Sequence, residues 1–425
     1  MKRTTIFYGS GALAALGLLF CAAIMWRPSF APIPQPPVLD QALVHRGARV
    51  AAQGDCGVCH TSPNGKWLAG GLPLKTPFGT LYTTNITSDR ETGIGTWSED
   101  AFVRAMRKGV NRQGQFLYPA FPYIHYSQMS DQDLSALYAW LMNSDPVHAP
   151  AHPNEMMFPM GFRPLVSFWN LLFLRDSRLV DVPGRSAEWN RGRYLVEGPG
   201  HCSSCHTPMN LIGAEKGAAR FAGSVIDGWE TPALTGMAQR EIPWTQDQLV
   251  NYLRGKSAAP HGAAAGPMLP VSESLAEVPE VDVRAIATYI LDLPDESKTG
   301  PKISASCADS LSSTLSANAG ERLYQSACSG CHAPESAMRQ AGRPGLQTTS
   351  ALTGDSPRNL VVTVLQGIPM PKQEVGPYMP GFAHMLDDHQ IAEIAGYLRN
   401  QSCPSKPWTD LESTVSKLRL EGDAK

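Results

Sequence analysis

The sequence predicts a mainly α-helical fold made of three tandem copies of one module behind an N-terminal apolar segment. Three observations support this. The pattern Cys-x-x-Cys-His occurs three times, starting at Cys56, Cys202 and Cys328, 146 and 126 residues apart. Such spacings are too long for a stacked solenoid and suit whole repeated domains. Each copy follows a short helical pattern containing glycine, and each module closes on an amphipathic helix. Alternating strand patterns are scarce, Gly79 to Thr84 being the clearest fragment. At 425 residues the chain exceeds the roughly 250–300 at which one core stops growing. Its 38 Gly and 35 Pro imply much loop, while 43% hydrophobic residues still allow buried cores. A net charge of −2 with 17% charged residues gives no sign of a nucleic-acid partner.

The elements follow in order. Lys2 and Arg3 precede an uncharged, mainly apolar stretch from Thr4 to Trp26, so residues 1–27 read as an export signal or a membrane anchor. About 20 apolar residues can span a bilayer. The best cleavage site, Ser29-Phe30-Ala31, is mediocre, and Phe20 spoils a lipoprotein box before Cys21; both readings stay open. Either way the two cations stay cytoplasmic and the remainder is exported. Residues 28–40 form a Pro-rich spacer. Domain 1 covers 41–145, with helical Gly47 to Ala51 before its motif and Asp133 to Leu141 at its end. A linker follows at 146–184. Domain 2 covers 185–294, with Gly192 to Val196 and Asp282 to Leu291 in the same places. A second linker, 295–315, leads to domain 3 at 316–403, with Gly320 to Tyr324 and Gln390 to Leu398. A polar tail, 404–425, ends the chain. Trp140, Tyr289 and Tyr397 share one position in the closing helices. Trp97-Ser98-Glu99-Asp100 and Trp244-Thr245-Gln246-Asp247 each start a middle helix with acceptors and acids in the first turn; domain 3 has Asp355-Ser356-Pro357 there.

Two thiols three positions apart on one turn can bond to the two vinyl groups of haem, with the adjacent histidine under the iron. A redox dithiol needs a βαβ setting, and a zinc site needs a second Cys or His pair nearby; the sequence offers neither. Three haem c groups are therefore expected, attached to Cys56 and Cys59, Cys202 and Cys205, and Cys328 and Cys331. His60, His206 and His332 are the proximal ligands. Electron carriers commonly add a methionine, whose soft thioether raises the potential. Met379, 18 residues before Tyr397, and Met268, 21 before Tyr289, stand in matching places, with Met370 a competitor to the former. In domain 1 the matching place holds Phe121, which cannot ligate. Met129 is the nearest substitute, with His125, Met106 or an open iron site as alternatives. Pro63, Pro208 and Pro334 follow the motifs closely and are expected either to place carbonyls on the histidine Nδ1–H or simply to make turns. Cys307 and Cys403 are a disulfide candidate in an oxidising compartment.

The chain resembles the membrane-bound three-haem cytochrome c subunits of periplasmic dehydrogenases, those of quinoprotein alcohol, gluconate and nicotinate-type molybdenum enzymes. The resemblance covers nearly all of residues 41–415. It rests on Gly70-Gly71-Leu72-Pro73 to Thr80, Thr84-Asn85-Ile86-Thr87, Tyr118 to Tyr123, Tyr194 to Gly198, His201 to Pro208 with Leu211 to Lys216, and Trp169 to Phe173 with Glu188 to Gly192. The last two sets lean toward the molybdenum branch. The resemblance implies three class I cytochrome c-like domains and distal methionines at Met268 and Met379. It also implies a periplasmic dehydrogenase catalytic subunit as electron donor, and membrane quinone or a terminal oxidase as acceptor, at the periplasmic face of the inner membrane. Phe121 departs from the methionine common in the family's first domain. Two other readings stand beside this one: peroxide turnover at an open domain 1 iron beside His125, and a free-standing redox carrier.

Overall fold

The computed structural model describes residues 17, 19–240, 242–295, 319–340, 345–369 and 378–423. The chain divides into two compact units where three modules were expected. One comprises residues 1–181 with 197–201; the other comprises 182–196 with 202–425 and holds both later motifs.

In the first unit, helix α1 (Gln41–Gln53) is capped by Asp40, whose side chain accepts from Ala42 N–H. Strands β1 (Pro73–Thr76) and β2 (Gly79–Tyr82) form an antiparallel hairpin with Leu74 opposite Leu81. Helix α2 (Glu99–Lys108) starts at the Ser98 cap and stops at Gly109, in the left-handed region at φ 59°. Helix α3 (Asp131–Met142) starts at Ser130, whose hydroxyl accepts from Asp133 N–H. These caps satisfy N–H groups that no helical carbonyl can reach. The expected linker 146–184 is not a free spacer. It supplies β3 (Glu155–Met156), which pairs with β2, and helix α4 (Val166–Phe173). Along it, Phe158, Leu171 and Leu172 are exposed. The Pro-rich stretch 28–40 is likewise docked, with Phe30 N–H on Arg112 O at 2.8 Å and Ile33 N–H on Thr96 O at 2.9 Å.

The second unit begins with α5 (Ala187–Glu197). A second hairpin, β4 (Ser224–Ile226) and β5 (Trp229–Thr231), turns at Asp227-Gly228 with both residues at positive φ. Helices α6 (Gln246–Leu253), α7 (Met268–Ala276) and α8 (Glu280–Leu291) complete the second module. Thr245 and Gln248 close a capping box at α6. The third module has α9 (Ala319–Ala327), α10 (Arg358–Gln366), α11 (Asp388–Ser402) and α12 (Leu411–Asp423). The last lies in the stretch expected to be a tail, yet Val415 and Leu418 are buried and Arg419 Nε bonds Asp388 at 2.7 Å. No helix among the described residues is long and apolar enough to cross a membrane.

One crossing recurs three times. Gly47 of α1, Gly192 of α5 and Gly320 of α9 lie against the closing helix of their module. A Cβ at those positions would stand 2.0, 1.9 and 2.2 Å from the carbonyl oxygens of Ala136, Ala285 and Glu393. Trp140, Tyr289 and Tyr397 flank the same three contacts. Only a residue without a side chain permits two helices to meet this closely.

Candidate haem sites

Each motif folds as one helical turn. His60 N–H bonds Cys56 O at 3.1 Å, and His206 N–H and His332 N–H bond Cys202 O and Cys328 O at 3.0 Å. Residues three apart on such a turn share a face, so each thiol pair is presented together. None of the six is in a disulfide. Burial pushes Cys56 and Cys202 up to about 12 and Cys328 to about 11. Burial also holds His60, His206 and His332 below the ordinary imidazole range, which keeps a lone pair available for a metal.

The tethers of two histidines come from the hairpins. His60 Nδ1 lies 2.7 Å from Thr84 O, and His206 Nδ1 lies 2.8 Å from Pro232 O. A carbonyl only accepts, so Nδ1 carries the proton and Nε2 keeps its lone pair for iron. The expectation that Pro63, Pro208 and Pro334 supply these carbonyls fails for the first two motifs; Pro208 O instead accepts from Lys216 N–H at 2.9 Å. A proline two or three residues past the histidine leads the chain away. The hairpin brings it back, with Thr84 two residues past β2 and Pro232 next after β5. The sequence did carry a signal for the second hairpin, since Asp-Gly between short apolar runs favours a tight turn.

Met268 opens α7, directly after Gly266 (φ 53°) and Pro267. Gly266 presses on Trp229: a Cβ there would come 2.3 Å from the indole. Met379 is half-buried against the apolar cluster of α10, and its backbone exchanges two hydrogen bonds with Ile368 at 2.8 and 2.9 Å. Met129 is 1% exposed in the core of the first unit, and Cys56 and Phe121 pack against the same cluster. Met106 is a further member. The buried Arg107 guanidinium donates to Ser127 O at 2.9 Å and Met129 O at 3.0 Å, and pairs with Asp131. His125 is buried too, with Nδ1 3.1 Å from Glu197 O. Met370 lies outside the described residues. Cys403 is fully buried and disulfide-bonded, whereas Cys307 lies outside the described residues.

These donors fit haem c: two thiols per turn, outside any disulfide, for the vinyl groups, an imidazole whose Nε2 would take the iron, and thioethers farther along the same stretches of chain. Paired thiols beside an adjacent tethered imidazole on helical modules define a c-type cytochrome. Residues 190–294 match the family model "Cytochrome c", and residues 316–398 match "Cytochrome C oxidase, cbb3-type, subunit III". The chain is 46% identical, over 98% of its length, to one of the nicotinate dehydrogenase subunits of Pseudomonas putida, of which it spans only 36%. It is 36% identical to the gluconate 2-dehydrogenase cytochrome c subunit of Pantoea cypripedii, covering 94% of each chain. With the fructose dehydrogenase cytochrome subunit of Gluconobacter japonicus the identity is 33%, over 86% of this chain and 80% of that one. The chain belongs to this family, the cytochrome c electron-transfer subunits of dehydrogenase complexes.

Proposed function

We propose that the chain holds three haem c groups, one on each Cys-x-x-Cys-His turn, and passes electrons from a periplasmic dehydrogenase catalytic subunit to membrane quinone or a terminal oxidase. The observation that carries this is the repetition of the same backbone-closed turn three times, each with two thiols outside any disulfide and an adjacent partly or fully buried histidine. Bound haem supplies one-electron exchange between ferric and ferrous iron. The chain's own residues hold, orient and dry the sites. Thr84 O and Pro232 O fix the imidazole tautomer, and the thioethers of Met268, Met379 and Met129 are the proposed distal donors. Oxidation of an alcohol, sugar acid, aldehyde or N-heterocycle belongs to the partner. The 46% identity to a nicotinate dehydrogenase subunit favours an N-heterocycle.

We place the protein at the periplasmic face of the inner membrane, held by residues 1–27. The apolar composition of that segment supports the placement, as do the exposed Phe158, Leu171 and Leu172. The test is isolation of the native complex from membranes. Three haems per chain by pyridine haemochrome, all low-spin in the ferric EPR spectrum, and a co-purifying dehydrogenase subunit are expected. One third of the haem in a high-spin form would favour peroxide chemistry in domain 1. A chain isolated alone, with no dehydrogenase attached, would favour a free carrier.

A further inference from the structure

The second hairpin links two modules of one unit. Its root touches the second haem turn twice: Thr231 Oγ1 donates to Cys205 O at 2.8 Å, and Pro232 O accepts from His206 Nδ1 at 2.8 Å. Its tip is gripped by α10 of the third module. Glu230 N–H donates to Asn359 Oδ1 at 2.9 Å, and Asn359 Nδ2 donates back to Glu230 O at 2.8 Å. Beside this pair, Arg358 Nη1 donates to Gly228 O at 2.9 Å and reaches Glu421 at 2.8 Å. Trp229, 7% exposed, belongs to the apolar cluster of Val361, Val362, Val364 and Leu365, against which Met379 packs, and its other contact is Gly266 before Met268. The first hairpin is held differently. Its β2 pairs with β3 of the linker, and Tyr82 N–H donates to Asn154 Oδ1 at 2.9 Å.

We propose that Asn359, on the third module, is a positioning residue for the second haem: by clamping Glu230 it fixes the Pro232 carbonyl on the His206 imidazole and thereby sets that haem's potential. A side-chain amide with both its donor and its acceptor spent on one backbone residue fixes that residue's peptide planes, and only Thr231 separates it from the acceptor carbonyl. Hydrogen bonding at Nδ1 makes an imidazole a stronger donor to metal and favours the ferric form. A loosened clamp therefore raises the second potential. The same bonds form a short covalent and hydrogen-bonded route from His206 to α10, so the element that tunes the site also leads out of it. This inference rests on the reading of His206 and Met268 as ligands of one haem.

The test uses the full chain in its native complex, with Asn359→Ala followed by potentiometric titration in optical and EPR spectra. One haem of the three should shift, its ferrous-to-ferric ratio at a fixed potential rising by up to about fivefold, the scale of one net hydrogen bond. Haem content and the other two potentials should stay as in the parent. The shifted haem should be the one that Met268→Ala alters. Asn359→Asp, which keeps the acceptor and loses the donor, should shift the same haem. If Asn359→Ala fails to mature, Asn359→Asp and Arg358→Gln serve in its place. Unchanged potentials, or an equal shift of all three, would overturn the clamp. If His206→Ala and Met268→Ala alter no haem spectrum, the ligand assignment itself falls and takes this inference with it.

Discussion

Gly192→Ala is the sharpest test of the recurring helix crossing. The new Cβ would stand 1.9 Å from Ala285 O, 2.6 Å from Ala285 C and 2.9 Å from Tyr289 Cβ. Carbon-to-oxygen contacts settle at about 3.3 Å or more, so α5 and α8 must part by more than 1 Å. The obstacle is backbone, which cannot swing aside as a side chain tip does. Overpacking of this kind costs about 1–3 kcal/mol, and the upper end applies here. Replacing a mid-helix glycine by alanine returns about 1 kcal/mol through helix propensity. The net loss is about 2 kcal/mol, or roughly 4–8 °C in Tm for a unit of this size. The Trp189–Tyr289 edge contact, 5.1 Å between centroids, should loosen with it. The assay is calorimetric unfolding of the haem-loaded protein. Gly217→Ala, at an exposed site of the same unit, is the control, since a Cβ there meets nothing within 4 Å, and it should stay within about 0.5 kcal/mol of the parent. A Gly192→Ala protein that melts at or above the parent temperature, or a control that falls equally far, would refute the crossing as the cause.

Further outcomes are expected. Met268→Ala and Met379→Ala should each convert one haem to high-spin or solvent-ligated form with a lower potential, read by EPR and redox titration; Met129→Ala should do the same in domain 1, and an unchanged spectrum would turn attention to His125. Peptide mapping without reduction should find Cys403 linked to Cys307, and Cys403→Ser should lower stability by about 2–4 kcal/mol. Replacing residues 1–27 by a cleavable signal should release a soluble, haem-loaded protein that reduces quinone poorly. A released protein that still sediments with membranes after removal of its dehydrogenase would place the attachment elsewhere, with Phe158 to Leu174 the first segment to examine.

Much of this was legible in the residues, for physical reasons that differ between parts. The Cys-x-x-Cys-His turns are local: the chemistry needs two thiols on one face and the next residue beneath them, so five consecutive letters suffice. The glycine and aromatic positions of the closing helices were visible as repeats, although the contact that makes Gly47 necessary lies about 90 residues away at Ala136. The histidine tethers were not legible. Thr84 and Pro232 stand 24 and 26 residues beyond their histidines, and their carbonyls are backbone atoms that any residue could supply. The packing of 404–425 was missed because α12 is polar on most of its surface; Val415 and Leu418 alone are buried to 0% and 3%.

The three Cys-x-x-Cys-His turns repeat one another and differ in what surrounds them. Both described tethers use a hairpin carbonyl, yet one hairpin is pinned by the linker through β3 and Asn154, the other by Asn359 and Arg358 of the next module. The first module keeps Met129 in place by a third device. Arg107, 4% exposed, donates to the carbonyls of Ser127 and Met129 while Asp131 offsets its charge. A buried guanidinium is costly unless its donors are met, and here Nη1 and Nη2 are met while Nε is not. Those partners fix the backbone on both sides of the thioether, where the second module relies on the positive-φ turn at Gly266 and the third on the bridge to Ile368. Differences in hydrogen bonding and burial around like sites are the means by which a protein gives them different potentials. Like turns leave the differences between sites to unrepeated residues: Arg107 holds the Met129 carbonyl, Asn154 the Tyr82 N–H of the first hairpin and Asn359 both peptide groups of Glu230 in the second.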